Sequence, residues 1–249
     1  MRPPVDHIPA PSIPGRMPWV NVKTLRMDQQ RGRPVLVEFW DFCRPNSMRT
    51  LPYLKEWHAR YAEAGLRVIG IHSPGFAPSA DPDAVTEAVE RLGIEYPVLI
   101  DSELYMWREY ENYGWPSRYL WNADLRLFDY HFGEGGYAET ERAIQELLGI
   151  DREPVAPIRP EDTPGATLVP QTEDVAGPYS GPYEAGGVWA VLAGDGTVSV
   201  NGDPLTVDHP GAYELITHPR STAGTLDLRI GDGVECLAVC FTPGLAEPS

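Results

Sequence analysis

Only three cysteines occur in 249 residues, an odd and sparse set that excludes a disulfide-stapled scaffold. No stretch approaches the ~18 consecutive apolar residues of a membrane-spanning helix. Lysine is missing from residues 150–249, where 15 acidic side chains face four arginines. The formal net charge of −16 leaves no cationic face for nucleic acid or an anionic membrane, so neither is expected as a partner. The opening residues, MRPPVDHIPAPSIPGRMPW, hold five prolines before position 15 and no apolar core of a secretory signal. As written, the chain reads as cytoplasmic, with reduced thiols. HExxH, a phosphate loop and a Ser-His-Asp spacing are all missing, so no metal or cofactor is expected.

What is present is an ordinary globular composition, 42% hydrophobic and 22% charged, at a length that suits two domains. Residues 1–18 form a Pro-rich leader. PVLVEFW at 34–40 is a short β-branched run between turn residues, hence a buried strand, and LRVIGIH at 66–72 is a second. Between them, residues 47–65 have helical spacing. Leu51, Leu54, His58 and Tyr61 share a face, Pro52 sits inside and Gly65 ends the run. Asp81 and Pro82 open a helix that stops at Gly93. A strand at 96–101, a helix over 102–114, a hairpin over 117–132 turning at Asn122 to Asp124, and a helix over 137–149 follow. Strands alternating with helices predict an α/β layer with a largely parallel sheet over 19–150. A Pro/Gly-rich linker is expected over 151–180. Short alternating strands with Gly-Asp and Asn-Gly turns then predict an all-β, jelly-roll-like sandwich over 181–249.

LVEFWDFCRPNSMRTLPYLKEWHARYAEAGLRVIGIHSPGF, together with GWPSRYLWNADLRLFDYHFGEGGYAETERAIQELL, resembles the thioredoxin superfamily. More closely it is similar to the TlpA/DipZ type of AhpC/TSA-like redoxin domain, over residues 17–149. The later stretch, VWAVLAGDGTVSVNG with LDLRIGDGVECLAVCFTPG, more weakly resembles the carbohydrate-binding-module-like sandwich that follows the redoxin domain in DipZ-type proteins. The resemblance implies a thioredoxin fold and a pair of cysteines two residues apart at the start of the long helix. Counting from Phe39, or back from Pro52, those two positions hold Arg44 and Ser47. Neither side chain can exchange with a disulfide, so dithiol oxidoreductase chemistry of the usual kind is not expected.

Several residues of the old site remain candidates. Cys43 lies one position early, beside Arg44 and a helix N-terminus that would favour its thiolate; the other reading is a small buried hydrophobe. Glu38, on the first strand, matches a buried acid of the superfamily. Desolvation would lift its pKa into the general acid–base range, unless it serves only as a paired structural carboxyl. His72, at a strand C-terminus, is a base, a ligand or a core residue. Arg44, Ser47 and Arg49 mark an anion-friendly helix start. Trp40, Asp41, Phe42 and Asn46, with Trp115 and Pro116 at the expected cis-proline, would line a cleft for a small molecule or peptide. Cys236 and Cys240, four apart on a strand, read as core residues.

Three functions follow. The first is a redoxin without the dithiol, at most performing single-cysteine thiol or peroxidase-like chemistry at Cys43. The second is a ligand- or peptide-binding or scaffolding module whose sandwich supplies a partner surface, a second copy of the chain included. The third is a non-redox enzyme using Glu38 or His72. A sugar platform on the sandwich would need exposed aromatics, for which Tyr179, Tyr183, Trp189 and Tyr213 are the candidates.

Overall fold

Valine, leucine and phenylalanine crowd the first strand so densely that both its faces must be covered, and the computed structural model, which describes residues 5–247, shows how. The chain divides into two units, one of residues 1–41 and 46–156, the other of residues 42–45 and 157–249. In the first unit the order is β1 (Trp19–Val20), β2 (Val35–Trp40), α1 (Pro45–Tyr61), β3 (Arg67–His72), α2 (Pro82–Arg91), β4 (Val98–Ile100), α3 (Tyr105–Glu109), β5 (Ser117–Trp121), β6 (Leu127–Phe132) and α4 (Tyr137–Leu148). The six strands form one sheet in the order β1-β4-β3-β2-β5-β6. β2, β3 and β4 run parallel, and the remaining neighbours pair antiparallel. This is a thioredoxin fold, an α/β layer with the parallel strands at its centre.

Alternation along β2 sorts its side chains. Val35, Val37 and Phe39 join Ile69, Ile71, Leu99, Met106 and Tyr119 in one core cluster. Leu36, Glu38 and Trp40 therefore face the other way, and every residue of the strand is buried. Against α1 the prediction needs one adjustment. Leu51, Leu54 and Tyr61 are buried as the spacing implied, with Tyr53 and Trp57 beside them, but His58 sits at the rim against Tyr96. Asp81 caps α2 by accepting from the Asp83 N–H at 3.1 Å. The helix expected over 102–114 shrinks to the five residues of α3. Its start is held by Asp101, which accepts from the N–H groups of Met106 and Trp107, and left-handed backbone at Leu104 and Glu111 brackets it. Helical periodicity there came from aromatic residues that turn into the core instead, Tyr110 packing on Phe39 at 5.0 Å.

The Pro-rich leader is extended but not loose. Its first four residues lie outside the described residues. Beyond them, Pro9 bridges Arg126, the Ala10 N–H donates to Leu125 O, and Ile13 is buried in the core. At the other end of the unit, Glu141 of α4 accepts from Trp57 Nε1, Arg60 Nη1, the Tyr61 hydroxyl and the Val155 N–H. That fully partnered buried carboxylate ties α1, α4 and the segment reaching Ala156 together.

The second unit is all β. Its strands are β7 (Leu168–Val169), β8 (Val175–Ala176), β9 (Gly181–Gly194), β10 (Gly196–Val200), β11 (Asp203–Val207), β12 (Gly211–Leu226), β13 (Leu228–Ile230), β14 (Val234–Thr242) and β15 (Gly244–Leu245). A four-stranded sheet β12-β9-β14-β8 and a three-stranded sheet β11-β10-β13 share a core of Val188, Leu192, Val198, Val207 and Phe241, and β15 pairs with β7. Asn201 and Gly202, both at positive φ, make the tight turn between β10 and β11. β12 runs well past the AYELITH stretch, because register shifts around Glu214 and between Thr217 and Thr222 absorb Pro219. Inside this unit the Ala212 N–H donates to Phe42 O at 3.0 Å.

Candidate functional site

The three parallel strands end on one side of the sheet, and Asp41, His72 and Asp101 stand at those ends. Asp41, wholly buried, is the hub. Its N–H donates to Ser47 Oγ at 3.2 Å, its Oδ2 accepts from the Gly75 N–H at 2.7 Å, and its Oδ1 lies 3.6 Å from His72 Nε2. His72 packs edge-on against Trp40 at 4.9 Å. The next residue continues the connection. Ser73 Oγ donates to Asp101 Oδ2 at 2.9 Å, and Trp115 Nε1 donates to Ser73 O at 2.8 Å. The Trp115–Pro116 peptide bond is cis. Burial pushes the Asp101 carboxyl up, against the pull of its backbone and Ser73 hydrogen bonds. Asn46, in the first turn of α1, is half-buried.

Glu38 occupies the middle of β2, opposite Arg118 of β5 and beside Gly70 of β3. Both side chains are inside the protein, with Glu38 Oε2 3.8 Å from Arg118 Nε and neither Glu38 carboxyl oxygen hydrogen-bonded. Desolvation outweighs the attraction of Arg118 and pushes the Glu38 carboxyl up to about 8. Arg118 spreads its remaining interactions over Gly135 O and the rings of Tyr137 and Trp57. The Tyr96 hydroxyl, also buried, is raised by desolvation and by Glu38.

Thus the first unit gathers Glu38, Trp40, Asp41, Asn46, Ser47, His72, Trp115 and Pro116. The segment Phe42–Pro45 groups with the second unit. Cys43 has no exposed surface. Arg44 precedes α1 and Ser47 lies in its first turn, so no thiol stands at either position. Arg49 bonds Glu134 at 2.6 Å, which makes it a structural partner rather than an anion ligand. Sequence reasoning missed Arg118, Ser73 and Asp101. Only Arg118 carried a signal, a charge on the strand SRYLW at a position alternate to the buried Tyr119.

In the second unit, Cys236 and Cys240 are free and buried, and burial pushes their thiols up to about 11 and about 12. Tyr183 and Trp189 are buried, while Tyr179 and Tyr213 pack against the core, so these four make no exposed sugar platform. Among the described residues no group of three His, Cys, Asp or Glu side chains is placed to hold a metal ion, and no helix is long and apolar enough to cross a membrane.

Comparison with known proteins places this geometry. Residues 9–127 match the AhpC/TSA family. Protein DipZ of Mycobacterium tuberculosis is 34% identical over 172 residues, 66% of this chain. The first unit is a thioredoxin-like redoxin domain of the TlpA/DipZ type. The chain spans about 25% of the length of DipZ. The thiol-disulfide oxidoreductase YkuV of Bacillus subtilis is 24% identical over 140 residues, covering 56% of this chain and 94% of YkuV. A thiol-disulfide isomerase from Corynebacterium glutamicum superposes with a TM-score of 0.51 at 24% identity, over 57% of this chain and 98% of that one, which establishes the shared fold.

Proposed function

We propose that this redoxin domain carries out no dithiol–disulfide exchange and serves as a binding domain, the end of its sheet that carries Ser47, His72 and the partly exposed Trp115 beside Pro116 taking a peptide or small molecule. The observation that carries the reading is at the start of α1. Exchange needs an exposed thiolate and a second thiol to resolve the mixed disulfide. The family's two cysteine positions correspond here to Arg44 and Ser47, and the adjacent Cys43 is wholly buried. A buried thiol is out of reach of a disulfide.

Insulin disulfide reduction driven by dithiothreitol tests this. The native chain and Cys43→Ser should match the uncatalysed rate. Arg44→Cys combined with Ser47→Cys, which puts a dithiol at the helix N-terminus, should raise the rate at least tenfold. Turnover by the native chain that disappears in Cys43→Ser would overturn the reading.

A second reading, acid–base chemistry without redox, is favoured by the buried Asp41–His72 pair and by the protonated carboxyl of Glu38. It expects His72→Gln to abolish a pH-dependent activity that Cys43→Ser leaves intact.

A further inference from the structure

Gly70, Glu38, Arg118 and His131 stand in one cross-strand row, carried by β3, β2, β5 and β6 and facing the same side of the sheet. Two of them hold the main chain of the turn that leads from β6 into α4. Arg118 Nη2 donates to Gly135 O, and His131 Nε2 hydrogen-bonds Glu134 O at 3.1 Å. Gly135 and Gly136 both have positive φ, and a Cβ at position 136 would stand 2.7 Å from His131 Cε1, so the imidazole packs directly on the turn. Gly136 is also the N-cap of α4 and offers no side chain to cap it. The start of the helix therefore relies on what holds this turn.

The Arg118 guanidinium is divided between two claims. A carboxylate takes Nε and Nη2 of an arginine together, as in the Arg26–Asp28 and Arg229–Asp227 pairs of this chain. In Arg118, Nε is 3.8 Å from Glu38 Oε2 and has no hydrogen bond, while Nη2 is on Gly135 O. Both Glu38 oxygens are buried without a hydrogen bond, so a charged Glu38 would compete for that fork. We propose that Glu38, Arg118 and the turn of residues 133–136 form a pH-sensitive latch, in which ionised Glu38 draws Nε and Nη2 into a bidentate pair and Gly135 O, released, loosens the start of α4. Tyr96 faces Glu38 from the segment before β4, and the rings of Trp57 in α1 and Tyr137 in α4 face Arg118. Asp129 and Glu139 act on His131, while the Glu134 carboxylate bonds Arg49 and Glu141 bonds Trp57 Nε1. Burial raises Tyr96 and lowers His131, so both are neutral where Glu38, pushed up to about 8, changes charge. The latch is separate from the binding site of the proposed function and stands without it.

The native full chain tests this by NMR between pH 5.5 and 9.5. The Glu38 side-chain carboxyl carbon and the Gly135 carbonyl carbon are followed together, and amide exchange is measured over residues 137–140. Both carbons should titrate with one midpoint, and exchange over residues 137–140 should rise about fivefold beyond the intrinsic effect of base. Glu38→Gln, equal in size and uncharged, should abolish both changes and leave the titration of the His131 ring in place. Arg118→Lys, which lacks the fork, should leave Glu38 titrating with no matching change at Gly135. A Gly135 carbonyl that stays constant while Glu38 titrates in the native chain would overturn the proposal. So would a change at Gly135 that survives Glu38→Gln, which would assign it to His131, or a Glu38 carboxyl that keeps one protonation state throughout the range.

Discussion

Glu38 keeps its proton because ionising it would strand a charge among Leu36, Trp40 and Tyr96, with Arg118 at 3.8 Å compensating only in part. Its pKa is raised from near 4.5 to about 8 on folding. Below the unfolded value the carboxyl is protonated in both states and its contribution to stability is fully present. Between about 4.5 and about 8 only the folded chain holds the proton, so stability falls as pH rises through that window. The slope reaches at most about 1.4 kcal/mol per pH unit for one proton. Urea midpoints at pH 5, 6.5 and 8 should fall progressively in the native chain, and Glu38→Gln should remove that part of the decline. A slope unchanged by Glu38→Gln would show that the carboxyl is already ionised in the folded state. Elsewhere in the unit, Glu141 accepts from four donors. Glu141→Ala leaves Trp57 Nε1 and the Tyr61 hydroxyl buried with a partner lost, and should destabilise by about 3 kcal/mol in urea titration.

At the scale of elements, the strand pair β2–β3 sets the spacing of the site. Glycine at position 70 is required there: an added Cβ would stand 2.9 Å from Trp40 Nε1 and 3.2 Å from Tyr96 Cε2. Gly70→Ala therefore pushes Trp40 against His72, and should cost about 1–3 kcal/mol, read from thermal or urea unfolding. No loss would mean that Trp40 can shift freely. Elements with strong periodicity or turn chemistry were legible in the sequence: β2, β3, the Asp81 cap and the hairpin turning at Asn122 to Asp124. Where aromatic packing or a bulge overrode local preference, they were not. α3 is short because Asp101 and two left-handed residues delimit it, and β12 is long because its register shifts tolerate Pro219. The site was legible one strand at a time. Glu38, Asp41, Ser47 and His72 announced themselves through the frame around them, whereas Arg118 required knowing that β5 lies beside β2.

At the scale of the molecule, a redoxin domain whose long helix starts without an exposed thiol is followed along the chain by a β-sandwich. We infer that Cys43 does not act as a nucleophile, and the alkylation rate of each cysteine in the native chain, measured by mass spectrometry from pH 6 to 10, tests this most directly. Cys43, wholly buried, should react only after denaturation, alongside Cys236 and Cys240, whose thiols burial pushes up. Rapid native alkylation of Cys43 with a midpoint well below the ~8.5 of an ordinary thiol, blocked by prior peroxide, would contradict it and make this a single-cysteine redox protein.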